Sequence, residues 1–137
     1  MPDFTCFQKS IKFINIDLEE PFSLELLRIA ARGDRQVLLR LVSNFSKSIH
    51  QNTFLLEEYL HQKDWKAIKS CAHKLKACIE TLQIKGLYNM IREIEQQSEA
   101  DEEIDQAVIH HIVSELSSIN LLLKDRYKLN HPLDKDL

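Results

Sequence analysis

An all-α chain is predicted, folded as an up-and-down antiparallel four-helix bundle with a short extra N-terminal helix. Three observations carry that prediction. Helix breakers are scarce: the 137 residues include two glycines, Gly33 and Gly86, and three prolines, Pro2, Pro21 and Pro132. No proline interrupts the long stretch from Pro21 to Pro132, so nothing there removes a helical hydrogen bond by ring closure. Neither Asn-Gly nor Asp-Gly occurs to mark a hairpin. Finally, apolar residues recur every three or four positions in successive segments separated by short polar stretches, the pattern of helices packed against antiparallel neighbours.

Each element follows from local signals. Residues 1–21 form an N-terminal extension in which Phe13, Ile14, Ile16 and Leu18 suit either a short extended piece or a first amphipathic turn. Pro21 closes it. Ser23 is an N-cap, with Phe22 and Leu27 spaced as a hydrophobic staple, and the short helix it opens stops at Gly33. Asp34 caps the next helix, whose stripe is Val37, Leu38, Leu41, Val42, Phe45 and Ile49. Leu55, Leu56, Tyr59 and Leu60 prolong that stripe, giving one helix to about Gln62, with a bend or break near Asn52 as the alternative. Asp64 caps a helix from Trp65 to about Gln83. Ile84, Leu87, Met90, Ile91 and Ile94 predict a further helix to about Gln97, and Ser98–Asp101 a loop. The last helix is expected over Glu102–Lys124, with Ile104, Val108, Ile112, Leu116, Ile119 and Leu123 inward. The bundle thus spans residues 22–124, and residues 125–137 form a polar, flexible tail.

Composition narrows the function. A chain of this length suits one domain and buries roughly two thirds of its unfolded surface without a staple. With 44% apolar and 28% charged residues it has the make-up of an ordinary globular protein. The net charge of −3 gives no bulk attraction to nucleic acid. No apolar run approaches the roughly 18 residues of a membrane span, and no basic segment followed by an apolar core opens the chain. A cytoplasmic protein is expected, with reduced thiols for its three cysteines. Cys71 and Cys78 fall on an apolar stripe as small core filler.

One polar residue stands out. In the segment from Trp65 to Leu82 the apolar residues are Ile68, Cys71, Ala72, Leu75, Cys78, Ile79 and Leu82. At about 100° per residue, His73 projects roughly 160° from the centre of that stripe. It therefore faces solvent or a partner. Lys66, Lys69, Lys76 and Glu80 project within roughly 60° of it. A free imidazole, with a pKa of about 6.5, is largely neutral near neutral pH and keeps one nitrogen lone pair for attack. Lys76 at i+3 and Lys69 at i−4 are its surface neighbours, placed to offset charge on an incoming phosphoryl group. On periodicity alone, a solvated helix face with an incidental histidine fits equally well.

The motif Ala72-His73-x-Leu75-Lys76, on the third predicted helix counting the short one, resembles that of the histidine-containing phosphotransfer (HPt) domain family. Ala31-Arg32-Gly33-Asp34 with Leu38, Leu39 and Phe45 is similar to the start of that family's second helix. Lys63-Asp64-Trp65 resembles the turn before its histidine helix, and Leu87–Glu95 the segment after it. The likeness covers residues 22–124. It implies a phosphorelay intermediate in which His73 is the phosphoacceptor and Lys76 the supporting lysine of the motif. Lys69 is added from helix geometry. The implied partners are response-regulator receiver domains or a hybrid sensor histidine kinase. No cofactor of the chain's own is expected, Mg²⁺ being supplied by the receiver's acidic pocket. A monomer is expected.

Three positions depart from the family pattern. Ala77 stands where glycine or another small residue is usual, and Gln83 replaces a glycine often found at the helix end. Glu80 replaces a small residue two turns beyond the histidine, where it is a possible modulator. It would repel a phosphoryl group, crowd a docking receiver, or pair with Lys76, although the Lys-first order is the weaker one. It supports an alternative: a non-phosphorylated helical adaptor binding receivers or other signalling partners through the same face. Zinc is disfavoured because Cys71 and His73 diverge by about 160°. The adjacent His110 and His111 cannot share a face, and Trp65 reads as a core or rim residue. No phosphate-cradling glycine loop or kinase motif is present, so no autokinase activity is expected.

Overall fold

A computed structural model describes residues 21–129. The readings for residues 1–20 and 130–137, Pro132 included, lie outside the described residues. Within them every regular element is helical: α1 (Glu25–Ala31), α2 (Arg35–Gln62), α3 (Ile68–Thr81), α4 (Tyr88–Glu99) and α5 (Gln106–Tyr127), with a 3₁₀ turn, Trp65–Ala67, leading into α3. The four long helices form the expected up-and-down bundle, and α1 is the short extra one. α2 is the central member, packed against α5 on one side and α3 on the other, while α4 packs mainly on α3. Cross-helix bonds show the antiparallel sense. On α2, Ser46 bonds Asn120 and Glu57 approaches His110, so residue numbers rise on α2 as they fall on α5.

Side-chain caps mark the starts of α2, the 3₁₀ turn and α5. Asp34 accepts from the backbone N–H groups of Gln36 and Val37, Asp64 from Ala67, and Asp105 from Ala107, each satisfying donors that a helix start leaves free. Asp105 therefore opens α5, rather than Glu102, and Ile104 is buried from the preceding loop. Leu24, not Ser23, stands at the N-cap of α1; Ser23, one residue earlier, accepts from Glu25 N–H, and its own N–H donates to Leu82 O at 2.8 Å. That bond ties the start of α1 to the end of α3. Phe22 and Leu27, the expected staple, are both buried.

α2 runs unbroken through Asn52 for 28 residues, about 42 Å. The polar pair that suggested a break bonds back onto the helix instead. Asn52 Nδ2 donates to Ser48 O, and Thr53 Oγ1 to Ile49 O, so no backbone partner is lost. Three other boundaries differ from the sequence reading. α4 begins at Tyr88, after Gly86 at φ 83°. It continues through Ser98, which is buried and donates to Trp65 O. α5 reaches Tyr127, and Tyr127 and Leu129 pack against the core.

The helix ends share one device. α2, α3, α4 and α5 each close with a non-glycine residue at positive φ: Lys63, Gln83, Asp101 and Lys128. After α3, Gln83 N–H bonds Glu80 O and Ile84 N–H bonds Ile79 O, the paired bonds of a Schellman motif with Ile84 folded into the core. The absent glycine at 83 therefore does not alter how the helix ends; the same closure forms under strain. A left-handed L-residue costs roughly 1–2 kcal/mol, while glycine costs more chain entropy. Gln83→Gly is expected to raise stability by about 0.5 kcal/mol, read as a higher urea midpoint at unchanged m value; an unchanged or lower midpoint refutes the strain assignment.

Candidate functional site

The residues that place His73 are those of its own stripe. Ile68, Cys71, Ala72, Leu75, Cys78, Ile79 and Leu82 are all buried, none more than 2% exposed. Burying a leucine or isoleucine side chain contributes roughly 1.5–3 kcal/mol, so the rotation of α3 is strongly fixed. It turns His73 outward, with 67% of its side chain exposed. Burial raises the Cys71 thiol to about 11 and raises Cys78 as well. Both stay protonated core groups, with Cys71 Sγ donating to Ile68 O.

The imidazole is not alone. His73 Nδ1 lies 2.8 Å from Glu95 Oε2 on α4, and Lys76 Nζ lies 2.8 Å from the other oxygen, Glu95 Oε1. One carboxylate thus bridges the two sequence-predicted residues. Its own burial pushes the Glu95 carboxyl up, but the bonds from Lys76 and His73, with their charges, outweigh that and hold it below its ordinary value. The bond to Glu95 in turn holds the Lys76 ammonium above its ordinary value, and Glu80 adds the smallest of the charge effects on it. An ionised carboxylate only accepts, so Nδ1 must carry the proton. In the neutral ring that leaves the lone pair on Nε2, facing away from the carboxylate.

Glu95 escapes a single-helix reading because it lies on another helix. It follows Ile94 at the edge of α4's buried stripe of Ile91, Ile94 and Ser98, which continues from Leu87 at the N-cap. The Ser98 bond to Trp65 O locks α4 against the 3₁₀ turn. In that register Lys69 meets Glu99 at 3.4 Å one helical turn before His73 meets Glu95. A signal existed in the sequence: the four-residue spacing of Lys69 and His73 matches that of Glu95 and Glu99 on an antiparallel neighbour.

Of the other predicted residues, Lys69 leans on Glu99 rather than on the ring. Glu80 is exposed and its carboxylate makes no hydrogen bond or ion pair among the described residues, so the alternative Lys76–Glu80 pair does not form. Glu95 wins because it is presented half-buried by a packed helix, whereas Glu80 must hold a flexible pair in water in the weaker order. Ala77 is exposed one turn beyond His73, leaving the approach to the ring open. Glu80→Ala is expected to leave the rate of any chemistry at His73 within about twofold, measured as a single-turnover rate; a larger gain restores the crowding role. Trp65 is half-buried against the core, and His110 and His111 are exposed. Among the described residues no group of three or more His, Cys, Asp or Glu side chains is placed to hold a metal ion, and no helix is long and apolar enough to cross a membrane.

The arrangement offers a solvent-facing imidazole with a fixed tautomer, a carboxylate behind it and an ammonium beside it. Such a group suits attack on an electrophile that carries negative charge. Comparison with known families gives the setting. No curated protein and no solved structure matches the chain. A family model described as Hpt domain matches residues 40–119, from within α2 to within α5, with His73, Lys76 and Glu95 inside. The match covers more than half of the chain and is narrower than the 22–124 of the sequence resemblance. The chain belongs to the Hpt domain family, phosphocarrier modules rather than enzymes, and so has a phosphotransfer role in two-component signalling through receivers or kinases.

Proposed function

We propose that the protein is a phosphorelay intermediate that accepts a phosphoryl group on His73 from a receiver-domain aspartyl phosphate and passes it to another receiver. The observation that carries this reading is the outward imidazole with its Nδ1 proton held by Glu95. Phosphoryl transfer asks for a positioned nucleophile and charge stabilisation more than covalent assistance. Nε2 attacks phosphorus in line, the N–P bond forms, and the bond from phosphorus to the aspartyl oxygen breaks to return a carboxylate on the receiver. The ring then carries a substituent on Nε2 and a proton on Nδ1, hence a positive charge, which the Glu95 carboxylate faces. Lys76, at i+3 on the same helix surface, is the ammonium assigned to offset charge on the equatorial oxygens. Mg²⁺ belongs to the receiver's acidic pocket in this reading.

The test is incubation with a phosphorylated receiver, followed by ³¹P and ¹⁵N NMR of the product. An acid-labile phosphoryl group on Nε2 of His73 is expected. Substitution at Nδ1 refutes the tautomer argument, and no labelling by any of several cognate receivers removes the relay reading. The adaptor alternative drew on Glu80, whose carboxylate makes no hydrogen bond or ion pair with the ring among the described residues. Receiver binding that survives His73→Ala with no phosphohistidine in the wild type restores it.

A further inference from the structure

Charge is unevenly spread along α3. On the N-terminal side of the ring lies an open groove of about 480 Å³ lined by Lys66, Ala67, Lys69, Ser70, His73 and Lys74. Lys69 is partly balanced by Glu99 at 3.4 Å, both well exposed. Lys66 and Lys74 make no ion pair among the described residues. The neighbouring Asp64 carboxylate is engaged by Ala67 N–H. On the C-terminal side the charge is reversed: Lys76 is neutralised by Glu95, and Glu80 is an unpaired acid. The face around His73 therefore runs from cationic to weakly anionic along the helix axis.

We propose that this groove seats the acidic rim of the receiver's phosphorylation pocket, with Lys66 and Lys74 steering and orienting the partner. The proposal rests on the relay reading for the partner's identity and extends it to docking. A receiver that brings a phosphoryl group and its coordinating carboxylates is negative where it meets the ring. Two uncompensated ammonium groups within roughly 10 Å of His73 along the helix favour one orientation. Glu80 at the other end disfavours its reverse. Neither lysine is a catalytic residue. Their effect is on encounter and register, which in charged interfaces changes association more than chemistry.

Lys66→Glu with Lys74→Glu tests it, against a control of equal charge change at the far end of the bundle, Arg40→Glu with Lys128→Glu. With a phosphorylated receiver, the concentration giving half-maximal single-turnover rate is expected to rise roughly tenfold or more at low salt, with the plateau rate unchanged and the control near wild type. The difference should shrink at ~1 M salt, where the screening length is about 3 Å. Equal behaviour of groove variant and control overturns the proposal, as does a lowered plateau with unchanged half-saturation. If wild type takes no phosphoryl group, the relay reading fails separately. Titration with a beryllofluoride-loaded receiver then decides the groove alone: weaker binding only in the groove variant supports it, and unchanged binding refutes it.

Discussion

Replacing His73 with glutamine is expected to reduce phosphoryl uptake from a phosphorylated receiver to background, a loss on the order of 10³-fold or more. Glutamine keeps the length and polarity of the side chain and still offers Glu95 a donor, but its amide nitrogen has no lone pair comparable to Nε2. The ring is 67% exposed and the core residues beneath it are untouched. Thermal stability should therefore stay within about 1 kcal/mol of wild type. Loss of uptake in a variant that unfolds like wild type separates chemistry from folding. Undiminished labelling would place the acceptor elsewhere.

Glu95→Ala is expected to give the second-largest effect, a fall of roughly 10- to 100-fold in the single-turnover rate. Two consequences of the substitution oppose each other. It frees Lys76 to approach the phosphoryl oxygens, which favours transfer. It also releases the ring, removes the acceptor that holds the proton on Nδ1, and leaves the phosphorylated imidazolium unbalanced. Orientation and tautomer should win, because Lys76 is already a neighbour of His73 at i+3 on the helix surface and freeing it adds less than is lost. Ring ¹⁵N NMR provides a readout that a purely structural role would not move: the Nδ1–H tautomer should dominate in wild type and lose its preference in the variant. Glu95→Gln, which keeps a neutral acceptor, should recover part of the rate. An unchanged tautomer ratio in Glu95→Ala would sink the positioning role.

The same carboxylate makes stability depend on pH. Its folded-state pKa lies below the ordinary 4.5, so the folded state binds fewer protons than the unfolded chain over that interval. The stabilisation is present above about 4.5 and is lost as pH falls through the depressed value. The stability gap between wild type and Glu95→Gln should therefore be widest near neutrality and close in acid, as urea midpoints at several pH values would show.

The fold was readable because its information is local. Each apolar stripe reports the rotation of its own helix, and every residue in the α3 stripe is buried as expected. Caps at Asp34 and Asp64 were equally visible, since the acceptor and the N–H groups it serves are neighbours in sequence. Boundaries that depended on tertiary contacts were less so. Ser98 reads as a loop residue until the Trp65 carbonyl is brought to it. His73 and Lys76 could be singled out because their exposure follows from helix rotation. Glu95 could not, since its role arises only when α4 is set against α3 in one register. Glu80 illustrates the converse: nearness along one helix suggested a pair, and a better-presented acid on the next helix took its place.

The left-handed corners have a practical consequence. Four long helices stop on Lys63, Gln83, Asp101 and Lys128, and α1 stops on Arg32, all with φ between 50° and 57°. The chain thus leaves unused stability at five turns, none of which supplies a group bonded to the imidazole. Glycine at several of these corners together offers a route to a hardier scaffold for complex crystallography, with His73 and its surroundings left as they are.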